Sequence, residues 1–87
     1  MELNQLRNKI DDCDRRIITA FVERMKLAGN IAEYKKENGL PVYDEKREQA
    51  VIKKASEMSE GYFENEIALL YKAIMDISKQ YQTSLIK

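Results

Sequence analysis

Arg24 stands where the pattern around it calls for a hydrophobe. Leu3, Leu6, Ile10, Cys13, Ile17 and Ala20 recur every three or four residues, and the series resumes after Arg24 with Leu27, Ile31 and Tyr34. That spacing keeps one seam of a helix turned towards a partner. An arginine buried there without a counter-charge is costly, so the position reserves a place for an anion. Lys35 follows eleven residues later. Eleven steps of about 100° fall within roughly 20° of three full turns, so both cations project from one side of the helix. Their backbones are then about 16 Å apart, a gap two long side chains can reach across to hold one small dianion. Arg7 precedes Arg24 by seventeen residues, about 25 Å along the helix, too far to reach the same ligand in its own subunit. An antiparallel pairing of two such helices brings it into the partner's site.

Further polar residues recur at helical spacing. Glu48 lies one turn before Val51 and Ile52 and extends their apolar stripe with a carboxylate, and Arg47 precedes Val51 by four. A solvated ion pair has the same pattern. Ser78 and Gln82 are one turn apart at the edge of an apolar face, where polar residues often only mark a boundary. Nucleophilic catalysis finds no support: histidine is absent, the single cysteine falls in the seam as an expected buried thiol, and no glycine-rich phosphate loop occurs. A pocket of guanidinium, ammonium, amide and hydroxyl donors can still catalyse. It does so by positioning an anion and stabilising charge that develops in the transition state, which suits a unimolecular rearrangement better than a hydrolysis.

Three helices, long-short-long, must carry these residues. The first is predicted over about Glu2 to Glu37, with Gly29 tolerated inside it and Asn38-Gly39-Leu40-Pro41 closing it. Asp44 is an N-cap for a second helix, Glu45 to Met58. Ser59-Glu60-Gly61 turns into a third, Tyr62 to Leu85, whose seam is Phe63, Ile67, Leu70, Ile74, Ile77 and Tyr81. A first helix about 52 Å long outreaches any cover that the remaining chain can supply, so a second copy is the expected cover, in an all-α homodimer. A second stripe, Ile18, Phe21, Met25 and Ala28, widens the apolar face enough for more than one neighbour.

Composition narrows the class. The 87 residues are read as one domain, 1–87, and fifteen basic against fifteen acidic side chains argue against non-specific nucleic-acid binding. One cysteine and no histidine leave no structural zinc site, and no metal or cofactor is expected. No stretch approaches the apolar length of a membrane span, and the first residues have no secretory pattern, so the expectation is cytoplasmic.

The order Leu6-Arg7-Asn8-Lys9-Ile10-Asp11, then Glu23-Arg24 with Leu27-Ala28, then Ile31-Ala32-Glu33-Tyr34-Lys35, then Pro41 through Glu48, resembles the all-helical (AroQ-class, type II) chorismate mutases. Ser78 and Gln82 stand where that family's last polar contacts stand, so the resemblance covers essentially the whole chain. It implies an intertwined homodimer that converts chorismate to prephenate by an intramolecular Claisen rearrangement in phenylalanine and tyrosine biosynthesis. By the same resemblance, Arg24 and Arg7 of the partner subunit pair with the two substrate carboxylates, and Lys35 and Gln82 donate to the ether oxygen. Arg47 and Ser78 help hold a carboxylate; Asp44, through its backbone, and Glu48 hold the ring hydroxyl. Met25 departs from the pattern, since a second basic residue often follows the arginine there. The rivals are an isochorismate–pyruvate lyase on the same scaffold and a non-catalytic helical dimerisation or regulatory module.

Overall fold

The computed structural model describes residues 2–86. It consists of three helices, α1 (Leu3–Glu37), α2 (Glu45–Glu57) and α3 (Glu64–Ile86), with no strand among the described residues. The all-α, long-short-long architecture is therefore as expected. The boundaries of α1 and α2 fall within one residue of the reading, whereas α3 starts two residues later than predicted. Glu60, Gly61 and Phe63 hold φ values of 55°, 92° and 56°, and the left-handed Phe63 cannot belong to a right-handed helix begun at Tyr62.

The end of α1 is fixed by local chemistry. Gly39 takes φ 65°, and the Leu40 and Gly39 amides donate back to the Lys35 and Lys36 carbonyls at 2.8 and 3.4 Å. This is the Schellman arrangement, which satisfies carbonyls that the helix leaves without partners. Asp44 caps α2 as expected, its carboxylate accepting from the Arg47 amide at 3.0 Å.

α3 packs against both other helices, and α1 and α2 do not pack against each other. Met75 and Ser78 lie beside Arg24 while Gln82 lies beside Ala28, so α3 runs parallel to the C-terminal half of α1. Glu48 meets Lys79 while Ser56 meets Glu64, so α2 runs antiparallel to α3. The close approach of α1 and α3 depends on Gly29: a Cβ there would stand 3.3 Å from the Tyr81 ring.

Little is buried. The core is Ala28, Ala32, Ala55 and Met75, with Ser78 the buried polar residue. It is the later part of the second stripe of α1 that meets α3: Ala28 is buried and Phe21 and Met25 are half-buried, while Ile18 stays exposed. The seam remains open, with Leu6, Ile10, Ile17, Leu27 and Ile31 all exposed. Cys13, expected to be a buried thiol, is exposed in the single chain because nothing packs over that half of α1. Residues 2–20 are exposed throughout, an arm about 28 Å long at 1.5 Å per residue. The molecule measures 54 × 24 × 15 Å, with a radius of gyration of 15.9 Å. A compact chain of this length has about 12 Å.

Candidate active site

One cavity of about 440 Å³ opens where the three helices meet, beside the turn that joins α1 to α2. Seven of the eight residues singled out in the sequence line it: Arg24, Lys35, Asp44, Arg47, Glu48, Ser78 and Gln82. Leu27, Ile31, Val42 and Val51 supply much of the apolar wall. Arg7 does not line it; it is exposed on the projecting arm of α1.

Each side chain is placed by the element beneath it. Arg24 is half-buried on α1, where its guanidinium donates to the Ser78 hydroxyl at 3.2 Å and approaches the Met75 sulfur at 4.0 Å. Ser78, which spacing alone put at a boundary, is 6% exposed. Its neighbour on α1 is the arginine, so a polar residue is needed at the centre of this contact and a hydrophobe would leave the guanidinium poorly satisfied. A guanidinium carries five N–H donors, so these contacts leave several for an anion.

Lys35 sits in the last turn of α1, and its ammonium donates to the Val42 carbonyl at 3.1 Å. That bond ties the lysine to the connection that the Gly39 turn folds back. Gln82 donates from its amide to the Ala28 carbonyl at 3.0 Å. An ammonium has three protons and a carboxamide two, so each group keeps a donor after its backbone contact is made. Arg24, Lys35 and Arg47 make the cavity cationic, with Glu48 and Asp44 on its α2 side.

Sequence reasoning missed Lys79, which also lines the cavity and lies 3.5 Å from Glu48. In the sequence its partner is Asp76 at i−3 on a solvated face, which it also approaches at 3.9 Å, and only the packing of α2 on α3 adds Glu48. The Val42 and Ala28 carbonyls have no side-chain signal at all.

The all-helical scaffold thus holds a small cavity lined by convergent cations and neutral donors, a chemistry that suits a compact organic anion. The family model described as chorismate mutase type II matches residues 6–83, and the chain belongs to that family. It is 38% identical over 50 residues to a chorismate mutase of Methanocaldococcus jannaschii, covering 58% of this chain and 50% of that protein. It is 35% identical over 83 residues to a bifunctional chorismate mutase/prephenate dehydratase of Buchnera aphidicola subsp. Baizongia pistaciae, covering 93% of this chain and 22% of that protein. A T-protein of Haemophilus influenzae is 38% identical over 50 residues, covering 58% of this chain and 13% of that protein. The chain thus spans half or less of the length of these relatives. No solved structure matches it significantly.

Proposed function

We propose that the chain is a chorismate mutase, an isomerase that converts chorismate to prephenate in aromatic amino-acid biosynthesis. The observation that carries this reading is the meeting of Arg24, Lys35, Arg47, Ser78 and Gln82 around one cavity in a member of this family. The substrate bears two carboxylates and an ether oxygen. In the rearrangement the ether C–O bond breaks as a C–C bond forms within the same molecule, so no nucleophile or cofactor is required. Arg24 and Ser78, with Arg47, hold a carboxylate and fold the enolpyruvyl arm over the ring, which selects the reactive conformer. Lys35 and Gln82 direct their remaining protons at the ether oxygen, whose negative charge grows as its bond to carbon breaks. Those bonds are stronger in the transition state than in the ground state, and only such a difference raises kcat. Glu48 and the backbone at Asp44 take the ring hydroxyl.

The working unit in this reading is a homodimer in the cytoplasm. Its support is the uncovered seam of α1 and a radius of gyration of 15.9 Å. Arg7 of the partner subunit then supplies the cation for the second carboxylate. No helix among the described residues is long and apolar enough to cross a membrane.

Incubation with chorismate against a no-enzyme control is the direct test. Accelerated loss of chorismate, with prephenate read as phenylpyruvate after acid treatment, is the expected result. Failure to accelerate refutes the mutase. Salicylate and pyruvate from isochorismate would then establish the lyase, and inertness towards both would leave a binding module.

A further inference from the structure

Lys79 connects three parts of the molecule through one ammonium group. Its Nζ lies 3.5 Å from the Glu48 carboxylate on α2 and 3.9 Å from Asp76 on its own helix. It also stands 4.4 Å from the centroid of the Tyr43 ring, in the connection between α1 and α2. The Glu48 side chain is 21% exposed and that of Lys79 35%, so the pair is partly withdrawn from water. Both groups line the cavity.

The arrangement answers an electrostatic problem. Glu48 is a carboxylate in a cavity whose other charged lining residues include Arg24, Lys35 and Arg47, and the proposed ligand is itself a dianion. Left alone, the Glu48 carboxylate would turn to the nearest of those cations, compete with the ligand for it, and repel the ligand's own carboxylates. A cation on α3 draws it the other way. The Tyr43 ring face attracts the ammonium from the side of the connection, which restricts where Lys79 can stand.

We propose that Lys79 is a positioning residue: it holds the Glu48 carboxylate against the α3 wall, where it can accept from the ring hydroxyl of the substrate. The inference rests on the mutase reading above and assigns a task within that site. The hydroxyl contact exists alike in the bound ground state and the transition state, so its loss appears in KM and leaves kcat nearly unchanged. A partly exposed pair has a modest effect.

The test compares K79M, K79Q, K79R, E48Q and E48Q/K79M in the full chain, measuring KM and kcat for chorismate together with Tm. Removing the charge in K79M or K79Q raises KM about five- to tenfold, with kcat changing by less than about twofold. K79R recovers most of the loss. In the E48Q background the K79M change adds nothing further, because residues that act through one contact are not additive. Unchanged KM in K79M and K79Q, with or without a lower Tm, overturns the inference while leaving the mutase in place. Losses that multiply in the double variant also overturn it, since Lys79 would then meet the substrate directly. A wild-type chain that does not convert chorismate is a separate result, which removes the functional reading and this role together.

Discussion

At the scale of single residues, Arg24, Lys35 and Gln82 each hold a protein acceptor and keep further donors free on the cavity wall. Arg24 gives part of its fork to Ser78, and Lys35 gives one proton to Val42. Replacing either by alanine removes a charged donor from the cavity wall. Arg24→Ala and Lys35→Ala should therefore each lower kcat/KM by a factor of about 10² to 10³ or more. Near-normal kcat/KM in either variant would take that residue out of the site. Gln82 carries a different prediction. A carboxamide donates at any ordinary pH, so kcat should change little between mildly acidic and neutral conditions. In Gln82→Glu the same donor exists only while the carboxyl is protonated, so activity should fall as pH rises through its titration. A steep decline in the wild type would contradict the task given to Gln82. Arg24 is legible because a cation in an apolar register stands out, and Lys35 because it follows eleven residues later on the same side of the helix. Ser78 is not: spacing puts it on an edge, and only the arginine packed against it explains why a hydroxyl sits in the buried centre of α3.

At the scale of elements, the turn after α1 does more than end a helix. Gly39 at φ 65° sends the chain back so that the Val42 carbonyl reaches Lys35 and Asp44 caps α2 at the mouth of the cavity. Nothing lies within 4 Å of a Cβ built on Gly39, so alanine meets no clash and only the backbone conformation is penalised. Gly39→Ala should cost about 1 kcal/mol in urea unfolding at fixed protein concentration. A neutral result would mean the turn has another accessible form. This glycine, the following Pro41 and the Asp44 cap made two of the three helices readable from local chemistry. The beginning of α3 was not readable, because Glu60 and Phe63 adopt positive φ without being glycine. The seam of α3 is only partly covered within one chain. Leu70, Ile77 and Tyr81 form a regular seam in sequence, yet they are exposed while Met75 and Ser78 are buried. An apolar periodicity gives the direction of a face, but not which of two neighbours it meets.

At the scale of the whole molecule, the projecting arm of α1 and the position of Arg7 lead to the same expectation. An amphipathic arm whose apolar stripe is exposed from end to end is not stable in water by itself, because most helical stability comes from packing that stripe. A mass near twice 10.2 kDa by light scattering or sedimentation is therefore expected, and a monomeric active enzyme would refute the shared site. Arg7 allows a sharper test, since it does not line the cavity between the helices of its own chain. If it acts in the partner's site, Arg7→Ala and Arg24→Ala damage different subunits' contributions to the same site. A mixed dimer then contains one site with both arginines intact and one with neither. Random exchange gives mixed dimers as half of the population, so co-refolding two nearly inactive variants should recover about a quarter of wild-type activity per site. If Arg7 served only its own subunit, every site in every mixture would lack one arginine, and mixing would recover nothing.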